Sequence, residues 1–355
     1  MSRPSPAALI EAAERERARS RFSQARGLFV RAAAQSADAP GRAQAWAGAA
    51  DCGRLLGDFP GSLRHYARAL AAAPRREAAL RADLECGRAL AWRGSGEPGK
   101  ALRGLASALK AYQSLDDPEG QAFCLWALGG AWRIAGELPR ALAALTDSRA
   151  AWSRLKNAEG LAYVDCALGG VLRMLGRHPE SLRHYRAANR AMRRRKDVFG
   201  TAYSYCGLGN AARMRGDLAE ALSYFRKAEA VYARIGDKVS FAYTLWSMAM
   251  VHKLAGRPGP AALALRRAEA LFRRTGDRRG LAYAALGFCE LAAMAGKRDA
   301  ALARLRLAAR LSRGFAWEAR HVRALGLLLR GRAARPVYAA SGSLFVPTSV
   351  PVNWP

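Results

Sequence analysis

Seven glycines fall at residues 57, 96, 136, 176, 216, 256 and 296, spaced by 39 and then five times by 40. Around the fourth stands a set of residues, Leu168-Gly169, Gly176, Ser181-Leu182, Tyr185 and Ala188. Forty residues later it returns as Leu208-Gly209, Gly216, Ala221-Leu222, Phe225 and Ala228, and forty earlier as Leu128-Gly129, Gly136, Ala141-Leu142 and Leu145. A period held this strictly means an array of one supersecondary unit, each copy burying its apolar face against the next.

The punctuation says what the unit is. Proline follows the glycine within three residues at Pro60, Pro98, Pro139, Pro179 and Pro258. Glycine can take the left-handed conformation that ends one helix, and proline suits the first turn of another. Between units stand Asp117, Asn157, Asp197, Asp237 and Asp277, whose side chains can accept an N-terminal amide hydrogen bond. The pattern predicts an all-α solenoid of antiparallel helix pairs. Residues 1–36 read as a degenerate first hairpin, with Ser20 where later units have glycine. Seven pairs then occupy 37–312, and residues 313–332 form a helix capping the open apolar face. Residues 333–355 form an extended tail with four prolines and, from 336 onward, no charge.

The chain has 355 residues, 51% of them hydrophobic, so it has the means to fold. Its net charge is +30, from 58 Lys+Arg against 28 Asp+Glu, which favours acidic partners. Six cysteines lie in first helices with no CxxC pair, and the N-terminus has no apolar run ahead of its charges. Reduced, buried thiols and a cytoplasmic location are expected. No stretch approaches the ~18 apolar residues of a membrane span.

Catalysis is not expected. The five histidines have no metal-ligand spacing to cysteine or carboxylate, and no P-loop, dinucleotide glycine motif or nucleophile elbow is present. No catalytic, cofactor or metal residue is assigned.

The set Leu168, Gly169, Gly176, Ser181, Tyr185 and Ala188, repeated as above, resembles the tetratricopeptide repeat family over roughly residues 20–330. The 40-residue unit resembles that family's longer-helix variety. The resemblance implies a right-handed superhelical solenoid whose inner wall, built mainly by first helices, grips peptides or protein segments.

Three ladders mark that wall. Three residues before the first six of these glycines stand Arg54, Arg93, Arg133, Arg173, Arg213 and Lys253, and the seventh has Ala293. Thirteen before it stand Phe123, Tyr163, Tyr203, Tyr243 and Tyr283. A third position carries Trp126, Cys166, Cys206, Trp246 and Leu286. Residues three and four apart share a helix face, so Tyr203, Cys206, Asn210 and Arg213 make one rib. Asn210 resembles the family's peptide-contacting asparagine. Guanidinium forks take carboxylates or phosphates, and aromatics give contact area at low entropic cost. The expected peptide-binding set is Arg93, Arg133, Arg173, Arg213, Lys253, Tyr163, Tyr203, Tyr243, Asn210, Trp126 and Trp246.

The expected function is a non-catalytic scaffold or adaptor holding an extended peptide or acidic protein segment. Two alternatives stay open. Basic runs such as Arg193-Arg194-Arg195-Lys196 could meet nucleic acid phosphates. The tail, through Leu344, Phe345, Val346 and Trp354, could occupy the groove or be read by a partner enzyme.

Overall fold

A computed structural model describes residues 4–332. The tail residues Leu344, Phe345, Val346 and Trp354 lie outside these. Among the described residues there are seventeen α-helices and no strands. A short hairpin, α1 (Pro6–Ala18) and α2 (Phe22–Gln35), comes first. The first helices of the following pairs are α3 (Ala39–Leu55), α5 (Ala78–Gly94), α7 (Pro118–Ala135), α9 (Ala158–Met174), α11 (Val198–Arg215), α13 (Lys238–Leu254) and α15 (Arg278–Met294). Their partners are α4 (Phe59–Ala72), α6 (Pro98–Ser114), α8 (Leu138–Arg154), α10 (His178–Arg194), α12 (Leu218–Ile235), α14 (Pro258–Thr275) and α16 (Arg298–Leu311). A single helix, α17 (Ala316–Leu328), ends the described chain. Each helix packs mainly on the one before and the one after, the arrangement of a tetratricopeptide-like solenoid.

Local chemistry sets the joints. Within each pair the glycine takes a left-handed φ, from 67° at Gly256 to 93° at Gly136. Between pairs, Asp117, Asn157, Asp197, Asp237 and Asp277 each accept the backbone N–H three residues on, at 2.8–2.9 Å. Close packing depends on missing side chains. A Cβ on Gly129 would collide with Leu145 of the partner helix, which is fully buried. Ser181, at the small position of α10, donates to the Gly169 carbonyl at 2.7 Å.

The superhelix comes round far enough to meet itself. The turn at Gly57 rests on Val239 and Thr275, and the turn at Gly96 rests on the Phe315 ring. The turn at Gly136 rests on Ala316 and Trp317, and Trp317 clusters with Leu138 and Met174. Arg278 donates to the Gly96 carbonyl at 3.4 Å across this seam. Nearby, Arg279 and Glu318 form an ion pair at 2.6 Å, with Glu318 fully buried. Six first-helix thiols are free, five of them buried. No helix among the described residues is long and apolar enough to cross a membrane.

The seam can be weighed against the turns alone. Gly216 has φ +88° and open space around it, whereas Gly96 has φ +83° and Phe315 above it. Gly216→Ala is expected to cost only the left-handed backbone strain, about 1–2 kcal/mol. Gly96→Ala adds overpacking of about 1–3 kcal/mol. Urea midpoints of the two variants should differ in that order.

Candidate ligand-binding interior

Closure of the seam turns the inner wall into a half-open cavity of about 410 Å³. First helices supply most of its lining, because side chains three and four apart along them share the inward face. Arg54, Arg93, Arg133 and Arg173 all line it, so four successive rungs of the arginine ladder meet one space. Tyr203, Asn210, Tyr243, Trp126 and Trp246 also line it.

The ladder then turns under the surface. Arg213 is fully buried and donates to the Asn210 side-chain Oδ1 at 3.3 Å, while the Asn210 side-chain Nδ2 donates to the Cys206 backbone carbonyl at 3.1 Å. Lys253 is buried against Glu290, and neither Arg213 nor Lys253 lines the cavity. Trp246 is buried in the C-terminal core, where its Nε1 donates to the Tyr283 carbonyl.

The aromatic ladder proves to have a structural task as well. Tyr163 donates to Asp197 at 2.9 Å, so a rung of one pair holds the cap residue of the next. Tyr243 likewise lies close to Asp277, the cap of the next pair, and the two act on each other electrostatically. Tyr203 differs, with 37% of its surface open to the interior.

Burial governs the electrostatics. Desolvation, followed by the charges of Arg54 and Arg133, pulls Arg93 down to about 10. Burial lowers Arg213 to about 9, with Arg173 adding to it. Tyr203 is pushed up to about 12 by burial despite the fields of Arg133 and Arg93. Arg133 also acts on Tyr185 and on Tyr283 of the facing wall. The interior is narrow enough for opposite sides to feel each other.

Past Arg54 and Leu90, which line both spaces, a second cavity of about 570 Å³ opens in the N-terminal pairs. Its wall is acidic, with Glu14, Asp51, Asp83, Asp117 and Glu119 beside Phe123 and Trp152. Tyr66 donates to Asp51 and Tyr112 to Asp83, each at 2.8 Å. The sequence reading missed this wall, although its signal was present. Asp83 stands thirteen residues before its glycine, the position of Tyr203 in its unit, and Asp51 stands six before, the position of Asn210. Both are ladder positions with carboxylates in place of the usual residue.

The tetratricopeptide repeat family matches residues 160–234, which span the pairs α9–α10 and α11–α12. Over these two pairs the sequence is similar to tetratricopeptide repeats. Solved structures extend the likeness to the whole solenoid. A Rap protein complexed with competence and sporulation factor aligns with a TM-score of 0.63 at 14% identity, covering 92% of this chain and 99% of that one. The Rap conjugation gene regulator of plasmid pLS20, in complex with the Phr* peptide, gives 0.61 at 15% identity, covering 92% and 90%. The Cut9–Hcn1 hetero-tetramer of the APC/C gives 0.62 at 14% identity, covering 89% of this chain and 55% of that one. No curated protein matches the sequence. At these identities the shared property is the tetratricopeptide-repeat fold.

One interior group gives a pH signature. Burial raises Asp237 from 3.8 to about 6, although it accepts the Ser240 N–H. The folded state therefore holds this proton more tightly than the unfolded chain between those values. Stability from Asp237 is greatest below pH 4 and falls as pH rises through 6, by on the order of 2–3 kcal/mol. Burial raises Asp277 and Glu290 too, with the same sign. Asp237→Asn keeps a competent cap. Its urea midpoint should exceed the parent's at pH 7 and fall less between pH 4 and 7.

Proposed function

We propose that this chain is a non-catalytic tetratricopeptide-repeat binding protein whose half-open interior receives an extended peptide. The observation that carries the reading is the confluence of four arginine rungs and several aromatic residues on one cavity. About 410 Å³ falls within the range of ligand sites, roughly 300–1,000 Å³, and is too small for a folded domain. Tyr203 and Trp126 offer flat apolar surface with few rotatable bonds, and the arginines offer directional donors. The pLS20 Rap regulator, alike in fold over most of both chains, was crystallised with a peptide.

In this reading Arg93, Arg133, Arg173, Tyr203 and Trp126 face the peptide. Asn210, Arg213, Tyr163, Tyr243, Lys253 and Trp246 hold the ribs in place behind them. The hairpin within residues 1–36 and the helix within 313–332 act as terminal caps to the seven pairs of 37–312. Six free thiols suit a reducing, cytoplasmic setting, and an adaptor role follows if the bound peptide belongs to a larger partner.

A labelled library of short peptides, read by fluorescence anisotropy on the full chain, tests this. Arg133→Glu and Tyr203→Ala should each weaken the selected peptides at least about ten-fold, roughly 1.4 kcal/mol. Arg193→Glu, on the exposed end of α10, should leave them unchanged. Equal losses from the inner and outer reversals would mean that net charge drives association. Binding that collapses on addition of competitor nucleic acid, with no peptide selected, would replace this reading with the nucleic-acid one.

A further inference from the structure

The interior holds more positive charge than the protein neutralises. Of the five arginines lining the cavity, Arg54 is paired with Asp51 at 3.1 Å and Arg279 with Glu318 at 2.6 Å. No carboxylate among the described residues lies within ion-pair distance of Arg93, Arg133 or Arg173. Arg173 is 5% exposed and its Nε has no hydrogen-bond partner. Arg93 lies over the Trp126 ring at 5.6 Å and beside Gly130, where a Cβ would strike its guanidinium.

The repeat register shows why these three stand apart. The position six residues before each glycine supplies the polar partner of a ladder cation in the other units. Asp51 serves Arg54, Asn210 serves Arg213 and Glu290 serves Lys253. In the remaining units that position is Leu90, Gly130, Gly170 and Met250; Lys253, beside Met250, is served instead by Glu290 of the next unit, whereas Arg93, Arg133 and Arg173 have no carboxylate at this position in their own unit or the next. Arg173 is taken out of water with only the Tyr185 hydroxyl as its polar neighbour, Arg93 and Arg133 are half-buried, and three like charges on neighbouring rungs repel one another. An anion placed among them removes both costs, and planar guanidinium forks match the oxygens of carboxylate and phosphate.

The adjoining cavity limits what carries the anion. A run of acidic residues extending past Arg54 would meet Asp51, Asp83, Asp117 and Glu119. We propose that Arg93, Arg133 and Arg173, with the Tyr203 hydroxyl, form an internal site for one carboxylate or phosphate group at the end of a ligand whose remainder is not acidic. This deepens the peptide reading and rests on the same cavity, but small anions alone can test it. It narrows the ligand from an acidic segment to a single compact anionic group.

The experiment is thermal unfolding of the full chain at neutral pH and constant ionic strength, with chloride replaced stepwise by inorganic phosphate or by acetate. A ligand of the folded state raises the midpoint saturably. Exclusion of kosmotropic ions raises it linearly and in every variant alike. The expected result is a saturable rise that disappears in Arg173→Gln and Arg133→Gln and persists in Arg193→Gln. Saturation at ten-fold lower phosphate than acetate assigns a phosphoryl group, and the reverse assigns a carboxylate. Arg133 is only partly buried, so Arg133→Gln keeps the test decisive if Arg173→Gln fails to fold. A linear response to both anions, or a saturable one retained in both inner variants, overturns the site. Peptide binding without any anion response would leave the peptide reading standing and remove this one.

Discussion

Each helix pair can bury its apolar stripe only against its neighbours, and that constraint produces the whole molecule. Glycine, alanine and serine at matched positions let helices approach until Leu145 sits against Gly129 and Ser181 against the Gly169 carbonyl. With a constant unit, the rotation between pairs is repeated until the first turns face the last loops. Gly57 then meets Val239 and Thr275, and Gly96 meets Phe315. The interior cavity exists because the superhelix comes round on itself, and no single pair builds it. Residues outside the repeat finish the seam, with Phe315, Trp317 and Glu318 all buried where α17 comes in.

Enclosure changes the meaning of the repeated cations. On an open wall, a ladder of arginines would be hydrated and inexpensive. Inside the closed superhelix each needs a partner, and partners differ from rung to rung. Lys253 takes Glu290, while Arg213 takes Asn210 although burial still lowers it to about 9. A wall that reads as uniform in sequence therefore becomes graded in structure. Its C-terminal rungs are locked into the core, and its middle rungs line free space.

Helix pairing, the joint glycines, the capping aspartates and the arginine ladder were all legible, since each is a local pattern repeated at fixed spacing. The cavity was not, because the rotation between pairs is not a property of any one unit. That rotation decides which rungs meet across the interior and which are covered. The tyrosine ladder was read for binding, yet the reach from Tyr163 to the cap of the next pair gives it a packing task too. Asp51 and Asp83 stood in ladder register but carried the wrong chemistry for a basic wall. Their meaning appears only once Tyr66, Tyr112 and Arg54 are seen around them.

The net charge of +30 is a poor guide to where this molecule is specific. Arg193 and Arg194 lie exposed at the end of α10, where water and the helix C-terminus satisfy them at little cost. Replacing either with another polar residue would change solubility more than structure. Arg93, Arg133 and Arg173 belong to the same abundant residue type but occupy a space where hydration is restricted and carboxylates are missing from the expected register. Composition supplies arginine everywhere along this chain. Closure of the superhelix makes three of them chemically distinct.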